Sequence, residues 1–202
     1  MHLALLEDRL EEGVRRPLAA ATRILYVVSG RVDIDASALA ENHAWHGAGA
    51  CVVHAHLATR LWRWELRADG EADDPGVKLS RAIDLPAGGA LMRCDRVDFP
   101  PRGIAYTHTH QGPGIRVLLR GRFRVETNDH ATIVEPGAPW FERGPDPVCA
   151  ESIVDEPTSF VRVVVLPVAL LGKSSIRYVK PEDQARPKSQ TYTVFVDAPI
   201  AP

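Results

Sequence analysis

Gly103-Ile-Ala-Tyr-Thr-His-Thr-His-Gln-Gly-Pro-Gly114, followed at once by Ile115-Arg-Val-Leu-Leu119, decides how this 202-residue chain is read. His108 and His110 stand one residue apart. On a strand, residues i and i+2 share a face, so both imidazoles project the same way. On a helix the same spacing would splay them by about 200°. An extended segment, a Gly-Pro-Gly turn and a β-branched run read as strand, turn, strand. Two imidazoles converging from one strand are half of a transition-metal site.

The surroundings support an all-β chain. Sixteen prolines and fifteen glycines punctuate short apolar runs along the whole length. Such runs include 23–28, 31–34, 50–53, 61–66, 90–97, 114–119, 122–126, 131–134, 148–154 and 160–166, at intervals typical of sandwiches and barrels. Helical periodicity is confined to two places, residues 3–10 and a start at Pro181 to Ala185. With 45% apolar residues there is material for a core, and a net charge of -2 argues against a polyanion-binding surface. No apolar run reaches about 18 residues, so no membrane partner is expected. The acidic N-terminus lacks the pattern of a secretory signal. Cys51, Cys94 and Cys149 are far apart and odd in number, reading as buried free thiols. A cytoplasmic setting is expected.

The chain repeats itself. Ile24-Leu-Tyr-Val-Val-Ser-Gly-Arg-Val-Asp-Ile34 parallels Ile115-Arg-Val-Leu-Leu-Arg-Gly-Arg-Phe-Arg-Val125, matching Gly30 with Gly121. Thr59-Arg-Leu-Trp-Arg-Trp-Glu-Leu66 parallels Thr158-Ser-Phe-Val-Arg-Val-Val-Val165, matching Thr59 with Thr158 and Arg63 with Arg162. Two hairpin-like matches in the same order predict a duplicated β unit.

These residues resemble the cupin superfamily, double-stranded β-helix barrels of jelly-roll type. Gly103, His108, His110 and Gly121 fit its first motif, and Pro136 and Gly137 fit the turn of its second. Two positions depart: Gly114 stands where the family has a glutamate ligand, and Val148 where it has a third histidine. The resemblance covers about residues 90–167 well and 20–67 weakly. It implies a bicupin-like chain: a degenerate N-terminal half (1–85) and a C-terminal cupin domain with the candidate metal site (86–170). The resemblance does not explain the C-terminal extension (171–202), expected to pack on the barrels; its strand-like run Thr191-Tyr-Thr-Val-Phe-Val-Asp197 is expected to pair with the other half or with a second chain. A dimer is a further expectation from the resemblance.

A divalent transition metal (Fe, Zn, Mn or Ni) on His108 and His110 needs a third ligand. Glu142 is the nearest carboxylate to the missing segment, and alternation puts it on the same face as Trp140. A solvated Glu142, or one paired with Arg143, is the other reading. Gly114 is expected to open volume. Arg116, of the same strand parity, should enter that volume and meet either a protein carboxylate or a carboxylate-bearing ligand. Tyr106, two residues before His108, is a candidate general acid if it shares the face. It reads equally well as a core tyrosine. His54 and His56 form a second His-x-His, expected to be exposed on an edge strand or to contact the other half.

The leading expectation is a metal-dependent enzyme of dioxygenase or isomerase/lyase type acting on a small anionic molecule. The alternative is a non-catalytic small-molecule-binding barrel. No nucleic-acid partner is expected.

Overall fold

The computed structural model describes residues 1–68, 74–128 and 130–200. The chain forms two compact units, Met1–Asp84 and Leu85–Pro202. No helix among the described residues is long and apolar enough to cross a membrane.

The first unit contains β1 (His2–Leu10), β2 (Arg15–Leu18), β3 (Thr22–Ser29), β4 (Arg31–Ile34), β5 (Ser37–Ala40), β6 (Ala44–Gly47), β7 (Cys51–Ala55), β8 (Thr59–Arg67) and β9 (Val77–Ala82). They form two antiparallel sheets, β6-β3-β8-β1-β9 and β2-β7-β4-β5. Leu25, Val27 and Leu61 of the first sheet meet Val32, Ile34, Val53 and Ala55 of the second in one buried cluster. Each valine, leucine or isoleucine among them contributes roughly 1.5–3 kcal/mol.

The second unit contains β10 (Ala90–Phe99), β11 (Ile104–His110), β12 (Gly114–Arg120), β13 (Phe123–Thr127), β14 (His130–Val134), β15 (Pro139–Glu142), β16 (Val148–Ser152), β17 (Thr158–Pro167), β18 (Ile176–Tyr178), the short helix α1 (Pro181–Ala185) and β19 (Thr191–Ile200). Its sheets run β15-β12-β17-β10-β19 and β14-β13-β16-β11-β18. Apart from the added edge strand β18, this is the first unit's order, strand for strand. Both units are therefore antiparallel double-stranded β-helix jelly rolls. Phe99, Leu118 and Phe160 from one sheet pack on Ala105, Phe123, Val125, Val148 and Ala150 from the other.

The repeated Gly and Thr mark one corner in both units. Gly30 (φ 94°) and Gly121 (φ 83°) carry the chain from one sheet to the other, in a backbone region that disfavours any other residue. A Cβ at Gly30 would overlap Thr59, and one at Gly121 would overlap Thr158. The register of the flanking strands breaks at the same place, between Val27 and Ser29 and between Leu118 and Arg120.

Two expectations need correction. Residues 3–10 form a strand, β1, rather than a short helix. Leu3, Ala4, Leu5 and Leu6 are all buried, and β1 is flanked by β8 on one side and β9 on the other. A two-turn helix is marginal in water, and sheet pairing on both sides outweighs its periodicity. The late strand, β19, pairs with β10 of its own unit, Ala90 facing Ile200. Of the three cysteines, all free, Cys51 and Cys94 are buried and Cys149 is half-buried.

Candidate functional site

The second unit's interior is apolar at one level and ionisable at the next. The change begins with a β-bulge in β11. Ala105 faces Ala150 and His108 faces Val148, so three residues of β11 span two of β16. Ala105, His108 and His110 all point inward as a result. Tyr106 falls out of phase and is not brought to the pair; its ring lies under the side chains of Arg186 and Lys188, at 5.0 and 5.8 Å. Simple alternation from Tyr106 to His108 misses this inserted residue.

His108 and His110 are each 5% exposed, and their Nε2 atoms face each other at 3.2 Å. His108 Nδ1 lies 2.7 Å from the Tyr106 carbonyl oxygen. A carbonyl only accepts, so His108 carries its proton on Nδ1 and keeps the Nε2 lone pair free when neutral. His110 Nδ1 is buried without a hydrogen-bond partner among the described residues. Burial pulls both imidazoles below their ordinary value, His110 to about 3 against partial opposition from Glu142. Both rings are neutral near pH 7, the form in which imidazole ligates a metal.

Glu142 sits beside the pair. Register pairs Gly114 with Glu142 and Arg116 with Trp140, bringing these side chains to the same inner face. Glu142 Oε2 lies 3.3 Å from His110 Nε2 and 2.7 Å from Arg116 Nη2, and Trp140 Nε1 donates to Oε1 at 2.9 Å. Burial alone would raise the Glu142 carboxyl; the Arg116 charge, with His110 and Trp140, holds it well below the usual range. Arg116 is itself pulled down to about 10 by burial, so it stays charged at neutrality. Its Nη1 donates to the Gly114 carbonyl at 2.7 Å. Of its two possible partners, a protein carboxylate or a ligand, Arg116 takes the protein's own. Gly114 opens no volume: a Cβ there would lie 2.5 Å from the Val163 carbonyl. The glycine instead admits the close approach of β17.

Arg162 faces Arg116 across the β12–β17 ladder and is held bidentately by Asp95 at 2.7 and 3.0 Å. The interior space that His108, His110, Arg116, Glu142 and Arg162 line together with apolar side chains such as Phe99, Phe123 and Phe160 is about 20 Å³, enough for one water or one ion. Arg162, Ile176 and Tyr192 also line a larger cavity of about 470 Å³, continuing along β10 and β19.

The described residues of the first unit carry no such pair. Leu18 faces Cys51 where His108 faces Val148. Ion pairs fill its interior: Arg23 to Glu65 at 2.9 Å, Arg63 to Asp8 at 2.8 Å and to Glu65 at 2.7 Å. Its His-x-His stands elsewhere. β7 lies between β2 and β4 and is no edge strand. His54 points from its outer face, half-buried, and His56 just beyond the strand contacts Asp33, a partner no local sequence signal identifies.

The neutral pair has a pH consequence. An unfolded imidazole titrates near 6.5, whereas His110 folded titrates at about 3. The unfolded chain therefore binds the extra proton, and stability is fully present above about pH 6.5 and declines as pH falls toward 3. The slope is up to about 1.4 kcal/mol per pH unit for each such histidine. Urea midpoints of metal-free protein from pH 7.5 to 4 should fall less steeply in His110→Gln. Equal slopes would contradict the burial of a neutral ring.

No family model matches the chain, and no curated protein matches it. Similar solved structures include a deletion mutant of oxalate decarboxylase from Bacillus subtilis, at TM-score 0.66 and 12% identity, covering 92% of this chain and 73% of that one. A structure from a study of the Mn(II) centres of the same enzyme gives TM-score 0.64 and 12% identity, with 88% and 71% covered. AerE from Microcystis aeruginosa gives 0.61 and 9%, with 81% and 88% covered. At such identities the likeness establishes the fold alone.

Proposed function

We propose that the second unit is a metal-dependent enzyme barrel acting on a small, carboxylate-bearing molecule. The carrying observation is the face-to-face pair of buried, neutral imidazoles with the His108 tautomer fixed by the Tyr106 carbonyl. His108 and His110 would hold the ion; Glu142 stands next to His110 but not within 4.8 Å of both imidazoles, so as third ligand it would have to turn from Arg116 toward the pair. The donor set of two nitrogens and one carboxylate suits Fe, Mn, Zn or Ni. The enclosed space of about 20 Å³ fits a single ion. When bound, the ion supplies Lewis-acid polarisation of a substrate oxygen or, for a redox metal, oxygen chemistry. Dioxygenase and isomerase/lyase reactions both lie within that range. The manganese and the carboxylate substrate named for oxalate decarboxylase are in keeping with this choice.

The chain's own residues divide the remaining work. Arg116 keeps Glu142 ionised and fixes its direction, a positioning role in place of substrate binding. The bulge sets Tyr106 apart, so no proton transfer is assigned to it. The substrate's body would occupy the 470 Å³ cavity, a volume usual for small-molecule sites. There Arg93, Arg162, Lys173 and Lys188 outnumber Asp95 and Asp197, favouring an anion. Ser175 Oγ and Gln190 Oε1 are buried in that wall without hydrogen-bond partners among the described residues. Gln190 Oε1 only accepts, so it calls for a hydroxyl or N–H on the same ligand. A hydroxy acid or an amide-bearing acid satisfies both demands.

A binding barrel without metal is the second reading, favoured by the Arg116–Glu142 contact, which already neutralises the carboxylate. Elemental analysis of tag-free protein separates the two. We expect near-stoichiometric transition metal, reduced by one equivalent in His108→Ala. Metal content unchanged by that substitution would remove the enzyme reading and leave the binding one.

A further inference from the structure

We propose that Asp33, His54 and His56 form a zinc site on the outer face of the first unit's four-stranded sheet, separate from any metal in a barrel interior. The placement follows from register. Cys51, Val53 and Ala55 of β7 point into the core, so Val52 and His54 point outward. Asp33 of β4 is the cross-strand partner of His54. The backbone N–H of His56 donates to the Arg31 carbonyl at 2.9 Å, holding His56 in line just past the strand. Its ring lies beside that of His54, with centroids 4.5 Å apart, and its Nε2 is 2.6 Å from Asp33 Oδ2.

One donor atom from each of the three residues lies within 4.8 Å of the other two. Among the described residues no other group of three or more such side chains meets that spacing. Zinc bonds nitrogen and oxygen at about 2.0–2.1 Å, which in a tetrahedron spaces donors about 3.4 Å apart. Small side-chain rotations close the difference. The side chains of His56 and Asp33 are 36% and 34% exposed, leaving a path for a hydrated ion and room for water as fourth ligand. Arg15 of β2, paired with His54 from the other side, is exposed and extends to solvent.

The second unit supplies an internal comparison. The positions matching Asp33 and His54 by register are Arg124 and Glu151, 3.4 Å apart. A cation and a carboxylate there satisfy each other and leave nothing to ligate. On the same scaffold the first unit carries three metal donors instead. Two imidazoles and one carboxylate select zinc over magnesium or calcium, which take all-oxygen sites.

The test is a Co²⁺ titration of metal-stripped, tag-free protein carrying His108→Ala and His110→Ala, read by the visible absorption of low-symmetry Co²⁺ and followed by Zn²⁺ displacement. We expect one Co²⁺ per chain, displaced by Zn²⁺ and untouched by Mg²⁺. Further substitution of His54→Ala or Asp33→Ala should weaken binding by at least about tenfold, since loss of a supporting residue alone typically weakens a site 10–100-fold. Absence of Co²⁺ uptake, or an affinity indifferent to His54→Ala, would overturn the site and leave Asp33–His56 as an ordinary surface pair. If the inner double variant does not fold, the same reading comes from His54→Ala in otherwise unaltered protein. Its zinc stoichiometry should then fall by one, and an unchanged stoichiometry refutes the proposal.

Discussion

Arg116→Met is expected to destabilise the second unit by about 3–5 kcal/mol, the usual result of removing one partner of a buried ion pair. The guanidinium is 1% exposed and touches Glu142 at 2.7 Å and the Gly114 carbonyl at 2.7 Å. Methionine fills much of the same space but leaves an ionised carboxylate, 12% exposed, with little water to solvate it. Glu142 then either takes up a proton or draws in solvent, and both are unfavourable. Arg116→Met with Glu142→Gln removes both charges and should recover most of the loss. Urea unfolding of the two variants measures this directly. A loss below about 1 kcal/mol in the single variant would mean the pair is already hydrated. An arginine serving only to bind substrate would lose ligand affinity and keep its stability, so the experiment also distinguishes these roles.

Arg63→Met should have an effect of similar size in the first unit, again about 3–5 kcal/mol. Burial would lower the Arg63 guanidinium, but Asp8 and Glu65 together raise it above its ordinary value. It bonds Asp8 at 2.8 Å, Glu65 at 2.7 Å and Asp74 at 3.2 Å. Glu65 keeps Arg23 and Arg67, and Asp8 keeps Arg16. The charges then balance, but Asp8 and Glu65 lose their shared buried partner, and Arg16 and Arg67 reach them from side chains that are 36% and 25% exposed. Because Arg63 is 3% exposed, added salt should do little to rescue the variant. Hydrogen exchange of the β1 and β8 amides reads the loss within this unit. Protection unchanged from the parent would show the network to be dispensable.

The fold was legible wherever the sequence repeats a local constraint. Gly30 and Gly121, each followed by an arginine and each closing on a later threonine, announce a corner that only glycine can turn. His108 and His110 announce a strand through their spacing. Glu142 reaches the pair because two-residue alternation holds unbroken along β15. What escaped the reading depends on distant partners. The bulge that displaces Tyr106 is visible only against β16. The partner of Arg116 was narrowed to two alternatives, and only the β12–β15 ladder chooses between them. Asp33 lies 21 positions before His54, and nothing local joins them. Residues 3–10 show a limit of another kind: four consecutive apolar side chains suit a helix or a doubly flanked strand, and the neighbours decide.

The inserted residue of β11 carries a consequence beyond Tyr106. Which wall of the barrel a donor occupies depends on counting, because one residue more or less reverses every later side chain. The inward direction of the imidazole pair is thus written in the length of a strand as much as in the identity of its residues. A lineage could gain or lose this chemistry through a single-codon insertion while both histidines remained in place.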